Sequence, residues 1–121
     1  MYDILFFDMY YIILNILNKI KMTAYLIVKS DTSLVNQKEF DHWYQVEHLA
    51  EAKEALSSLN AKRVWIQNTK FHLAIYKFQN INDAQRAVSS KNLEKLIKKF
   101  DEKWNYQVKR TRELIELSQE I

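Results

Sequence analysis

Not one glycine and not one proline occurs in the 121 residues of this chain. Average usage would be about 7% and 5%, so every turn has to be built from residues that carry both a Cβ and a free N–H. Asn tolerates the left-handed backbone better than most such residues. Asn60, Asn68, Asn80 and Asn105 fall where the hydrophobic pattern changes character and are expected to punctuate the fold. The same absence excludes the Gly-rich phosphate loops that usually hold NAD or ATP. With no cysteine there is no disulfide framework, no thiolate nucleophile and no Cys-based metal site, a composition compatible with a reducing cytoplasm. Three histidines without a fixed spacing give little support to a metal site. The net charge of +3 is mild and is spread among alternating acids and bases, so it carries no nucleic-acid footprint of its own. A chain of this length buries one core, not two.

Residues 1–21 differ in character from the rest of the chain. Two apolar runs, over 4–7 and 9–14, are separated by Asp8 and succeeded by Asn15 and Asn18. Asp3 precedes the apolar stretch and Lys19 and Lys21 come after it, the reverse of a secretory signal. The polar interruptions also spoil the run of about 20 apolar residues that a membrane span needs. We expect one domain over residues 22–121. Residues 1–21 are then an apolar extension, read as mistranslated leader upstream of Met22, which touches a membrane or another chain only if it is expressed.

From Met22 the periodicity is clear. Residues 24–29 are β-branched and aromatic and run into the polar turn Ser30, Asp31, Thr32, Ser33, which predicts a first strand. Asn36 with Glu39 three residues later is a capping pair, and Phe40, Trp43 and Tyr44 give an apolar stripe for a helix ending near Leu56. Residues 63–67 and 71–78 read as a hairpin turning at Asn68, Thr69 and Lys70. A second helix opening at Asn82 or Asp83 carries Ala84, Ala87, Val88, Leu93, Leu96, Ile97 and Phe100 at helical spacing, with a break near Ser89 and Ser90. Residues 107–115 are either a last strand or a short terminal helix.

Strand, helix, hairpin, helix, strand is the α+β, ferredoxin-like βαββαβ order: a four-stranded antiparallel sheet with two helices on one face. The other face stays bare. Alternation in the third strand sets Phe71, Leu73 and Ile75 against His72, Ala74, Tyr76 and Phe78, so both faces are largely apolar. Trp65 and Tyr76 are expected on the bare face. Burying one such aromatic contributes roughly 1.5–3 kcal/mol, so the sheet is expected to dimerise through that face.

The segment Phe40-Asp-His-Trp-Tyr-Gln-Val-Glu-His48-Leu resembles the helix-one motif of EthD-type members of the dimeric α+β barrel superfamily. Residues 71–78, then Asn82-Asp-Ala-Gln-Arg-Ala-Val, then Val108-Lys-Arg-Thr-Arg112 resemble that family's third strand, second helix and last strand, in order. The chain departs from the family's pattern at Leu49 and Ala50, where Pro usually comes soon after the helix-one His. The resemblance implies a homodimer with a pocket in each subunit. Its members act on small apolar or aromatic molecules as isomerases, cyclases or oxygenases without a cofactor, and many have no known activity.

On a helix His48 lies one turn after Tyr44 and shares a face with Phe40. An imidazole beside a phenol suits enolisation of a carbonyl substrate, with His48 as general base and Tyr44 as orienting donor. The plainer reading is that His48 packs, hydrogen-bonded to a backbone carbonyl or to Glu51. Phe40, Trp43, Trp65, His72 and Tyr76 are the candidate ligand wall, suited to a flat apolar molecule with one or two polar handles. His42 is expected to point outward. Two other classes compete. An RNA-recognition domain shares the topology, but Leu73 and Ile75 stand where its third strand needs stacking aromatics. A dimerisation module would use the aromatic face as an interface alone and have a filled interior.

Overall fold

The computed structural model describes residues 7–14 and 22–121. Residues 7–14 are helical, with Phe7, Met9, Tyr10, Tyr11, Ile12, Ile13 and Leu14 exposed. The rest of the apolar extension lies outside the described residues. No helix among them is long and apolar enough to cross a membrane.

Strand β1 (Ala24–Asp31) leads into helix α1 (Gln37–Trp43), a π-helical turn (Tyr44–His48) and helix α2 (Leu49–Leu56). Strands β2 (Asn60–Trp65) and β3 (Phe71–Phe78), helices α3 (Ile81–Val88) and α4 (Lys91–Lys103), and strand β4 (Lys109–Glu116) complete the chain. The sheet order is β2-β3-β1-β4 with every neighbour antiparallel, the α+β, ferredoxin-like arrangement. β1 is central. It runs two residues past the expected end because Ser30 and Asp31 still pair with His72 and Phe71 on one side and Arg110 and Lys109 on the other. β4 is a strand rather than a helix, in register with β1 from Ala24↔Glu116 to Asp31↔Lys109.

Capping sets the helix ends. The Asn36 side chain accepts from the Glu39 N–H at 3.0 Å. Asn80 accepts from Asp83 N–H at 2.9 Å, so α3 starts at Ile81, ahead of the expected Asn82 or Asp83. Ser90 accepts from Leu93 N–H at 3.2 Å and restarts the helix after the break at Ser89. Helix one runs straight past His48, because Leu49 and Ala50 are good helix formers where a proline would have cut it.

The left-handed positions are Ser57, Asn68, Asn105 and Tyr106, at φ 52°, 63°, 52° and 58°. Two of the four expected asparagines take this role. Asn60 instead opens β2, and Asn80 is extended as an N-cap.

One expectation is overturned. Trp65 and Tyr76 do not lie on the bare sheet face. Ala24, Leu26, Val28, His72, Ala74, Tyr76 and Phe78 are buried beneath the helices, and the Trp65 ring sits 6.1 Å from Phe40 and 4.9 Å from His72. The layer between sheet and helices is built on large rings, with Phe40, Trp43, Tyr44, Phe100 and Trp104 supplied from the helical side. The inward positions of β2 and β3 must therefore carry rings that interlock with them. The bare face mixes apolar side chains, Tyr25, Ile27, Val64, Phe71, Leu73, Ile75 and Ile115, with charged ones, Lys29, Lys62, Lys77, Lys109 and Glu113.

Candidate functional site

The π-helical turn builds the site. Leu49 N–H reaches back five residues to the Tyr44 carbonyl, which widens the helix for one turn. That wider turn lays residue i+5 beneath residue i: the Trp43 indole lies flat on the His48 imidazole, centroids 4.4 Å apart and planes at 15°. Tyr44 meets the same imidazole edge-on at 4.7 Å. Tyr44 and His48 are both buried, at 1% and 2% exposure. Glu51 is not the partner of His48; with Glu47 it accepts from the Lys99 ammonium on the solvent side.

Across from this pair, the alternation of β4 sends Arg110, Arg112 and Leu114 inward. Arg110 is packed down. Its guanidinium lies 3.6 Å from the centre of the Phe100 ring and donates to Asp101 at 3.2 Å. Between the helices and the sheet, Tyr44, His48, Tyr76, Arg110, Arg112 and the aliphatic floor around Leu26 enclose a cavity of about 20 Å³, room for one water molecule.

The electrostatics come from burial beside a cation. Burial pushes the Tyr44 phenol up to about 12, with the Arg110 charge and the Tyr76 hydroxyl pulling the other way. Burial raises Tyr76 too, and the neighbouring Tyr44 adds to it. His48 is held down to about 3, by burial first and then by Arg110 and Lys99, against a smaller opposing pull from Glu47. Burial and then Arg63 lower His72 to about 4, with Asp41 opposing. At neutral pH the cavity is therefore lined by two protonated phenols, the neutral imidazole of His48 and two guanidinium groups.

The sequence-derived candidates separate into two groups. Tyr44, His48 and Tyr76 line the cavity. Trp43 backs His48, and Phe40 backs Tyr44 at 5.1 Å. His72 touches the Tyr44 ring at 4.3 Å but is not part of the cavity lining, and both its ring nitrogens are buried without a hydrogen-bond partner among the described residues. Trp65 does not line the cavity: its Nε1–H donates to Asp41 at 2.8 Å, and Arg63 donates to the same carboxylate at 2.6 Å. These bonds, Arg63's first, hold the Asp41 carboxyl below its usual range. His42 is exposed, as expected. Among the described residues no group of three or more His, Asp or Glu side chains converges to hold a metal.

Arg110 and Arg112 are the residues that sequence reasoning passed over. Their signal was the alternation Val108, Arg110, Arg112, Leu114, which places two arginines on the apolar, inward side of an edge strand. A charge at such a position needs a reason. The arrangement offers a donor phenol, an unprotonated imidazole and a fixed positive charge around one small space. It can polarise an oxygen and accept a proton from the group beside it.

No protein-family model matches the chain, and no curated protein matches its sequence. Solved structures do match its fold. An ethyl tert-butyl ether D (EthD) family protein from Bacillus halodurans superposes with a TM-score of 0.61 at 16% identity, over 83% of this chain and 100% of that one. SnoaB, a cofactor-independent oxygenase from Streptomyces nogalater, superposes at 0.59 and 9% identity, over 84% and 97%. A conserved protein of unknown function from Bacteroides thetaiotaomicron gives 0.51 at 11%, over 80% and 99%. The fold is of the EthD type.

Proposed function

From an EthD-type fold with this site inside it, we propose that the chain binds a small apolar or aromatic carbonyl compound beside Tyr44 and His48 and enolises it without a cofactor. The observation that carries the reading is that a π-helical turn buries a phenol and an imidazole together on the wall of a cavity that also meets a guanidinium. π-turns of this kind frequently mark functional positions. His48, neutral at pH 7, takes the proton from the carbon next to the carbonyl. The electron pair moves onto the oxygen, which the Tyr44 hydroxyl and the Arg110 charge stabilise as an enolate. With a conjugate acid near 3, His48 is a weak base alone. The transfer depends on that stabilisation, and the enolate raises the proton affinity of His48 as it forms. Return of the proton at another carbon completes an isomerisation; ring closure and attack on dioxygen are the other fates open to such an anion. SnoaB, on the same fold, is a cofactor-independent oxygenase.

The bare face of the sheet supports a second copy of the chain as partner. Tyr25, Ile27, Phe71, Leu73 and Ile75 form an apolar surface over which no helix is packed among the described residues.

The test is solvent exchange: 2-tetralone in D2O, monitored by proton NMR for loss of the protons next to the carbonyl. The wild-type chain is expected to accelerate exchange over buffer, and Tyr44→Phe and His48→Leu each to reduce it at least tenfold. Exchange no faster than in buffer, or unaffected by His48→Leu, removes the proposed chemistry.

A further inference from the structure

We propose that the ligand of this cavity carries a planar two-oxygen anion, which Arg112 and Arg110 hold at the mouth and the wall. The inference deepens the small-molecule reading above and rests on it. The two arginines are the charged residues that line the cavity. They occupy successive inward positions of β4, opposite Ser30 and Val28 of β1, on the same edge of the sheet.

Their situations differ. Arg110 is spoken for: its side chain is 8% exposed, packed on Phe100 and paired with Asp101. Arg112 is exposed, and no carboxylate lies within ion-pair distance of it among the described residues. Two guanidinium charges therefore face one carboxylate on this wall. Lys99, Glu47 and Glu51 satisfy one another on the solvent side of the π-turn and α2. The cavity has room for one water as it stands, so a ligand has to part the helices from the sheet to enter; once seated there it closes over Arg112 and removes water from it. Burying an unpaired guanidinium is strongly unfavourable, so a neutral ligand is penalised there and an anion is favoured. The guanidinium fork matches a planar pair of oxygens, as in a carboxylate or the enolate of a 1,3-dicarbonyl. The apolar remainder of the ligand then lies against Leu26, Leu96 and Ile97.

Isothermal titration calorimetry on the full chain tests this with matched probes. 2-Naphthoate and the neutral, near-isosteric 2-naphthamide form one pair; benzoylacetone above and below the ionisation of its enol forms the other. An anion preference of tenfold or more in either pair, abolished by Arg112→Met and partly kept by Arg112→Lys, supports the proposal and says which oxyanion is taken. Arg112 is exposed, so its replacement leaves the packed core intact, whereas Arg110→Met removes a packed side chain and is a secondary variant. Equal affinity within both pairs, or a preference that survives Arg112→Met, overturns the anion proposal and leaves the small-molecule reading standing. Absence of binding by every probe overturns both.

Discussion

His72 is a costly residue for this core to bury. It is completely buried, and neither ring nitrogen has a hydrogen-bond partner among the described residues. Because the folded pKa values of His72 and His48, about 4 and about 3, lie below the ordinary 6.5, the unfolded chain binds more protons between those limits. Stability is then complete above about pH 6.5 and falls as the pH drops towards 4, by at most about 1.4 kcal/mol per pH unit for each histidine. Thermal unfolding at pH 7, 6 and 5 is expected to show that fall, and His72→Phe to halve its slope while raising stability at pH 7 by relieving two unpaired nitrogens. A slope unchanged in His72→Phe would mean that protonating His72 costs nothing. At this scale the shared face of Tyr44 and His48 could be read from helical spacing, whereas Tyr76, expected on the bare face, lies on the helix-covered side, which strand alternation alone does not choose. Arg112 was not, because a basic residue on an edge strand reads as solvent-facing until its neighbours fix which side is inward.

At the scale of elements, turns without glycine leave a residual strain. Ser57 closes α2 in the left-handed conformation, with its N–H donating back to Glu54. A residue with a Cβ costs about 1–2 kcal/mol there, and glycine is the usual choice at such a helix end. Ser57→Gly is expected to stabilise the domain by about 0.5–1 kcal/mol, net of the extra freedom glycine gives the unfolded chain, and to raise the melting temperature by several degrees. A lower melting temperature would show that the serine is not strained. Helix one, the hairpin, the break at Ser89 and the central place of β1 could be read from caps and periodicity. The π-turn could not: Trp43, Tyr44 and His48 fit an ordinary helix equally well, and the extra residue is revealed only by the flat stacking of Trp43 on His48. The choice of strand over helix for β4 was decided outside its own sequence, by eight residues of register with β1.

At the scale of the whole molecule, the bare sheet face bears on assembly, while the cavity lies on the helix-covered side. Trp65 and Tyr76, the side chains from which dimerisation was expected, belong to the interior. The apolar drive passes to Ile27, Leu73, Ile75, Tyr25 and Phe71, which sequence alternation alone could not assign to a side. Sedimentation at micromolar concentration is expected to give twice the chain mass of 14.6 kDa, and Ile27→Lys, on the central strand, to return it to one chain with the fold retained. A wild-type mass of one chain would sink the dimer. The cavity has a separate implication. Space for a single water cannot receive an aromatic ring, so the free protein must first part its helices from the sheet, and it has no glycine to act as a hinge. Capture of a ligand is then timed by the protein's own breathing: the observed association rate climbs with ligand concentration and levels off at the opening rate, however tight the final complex.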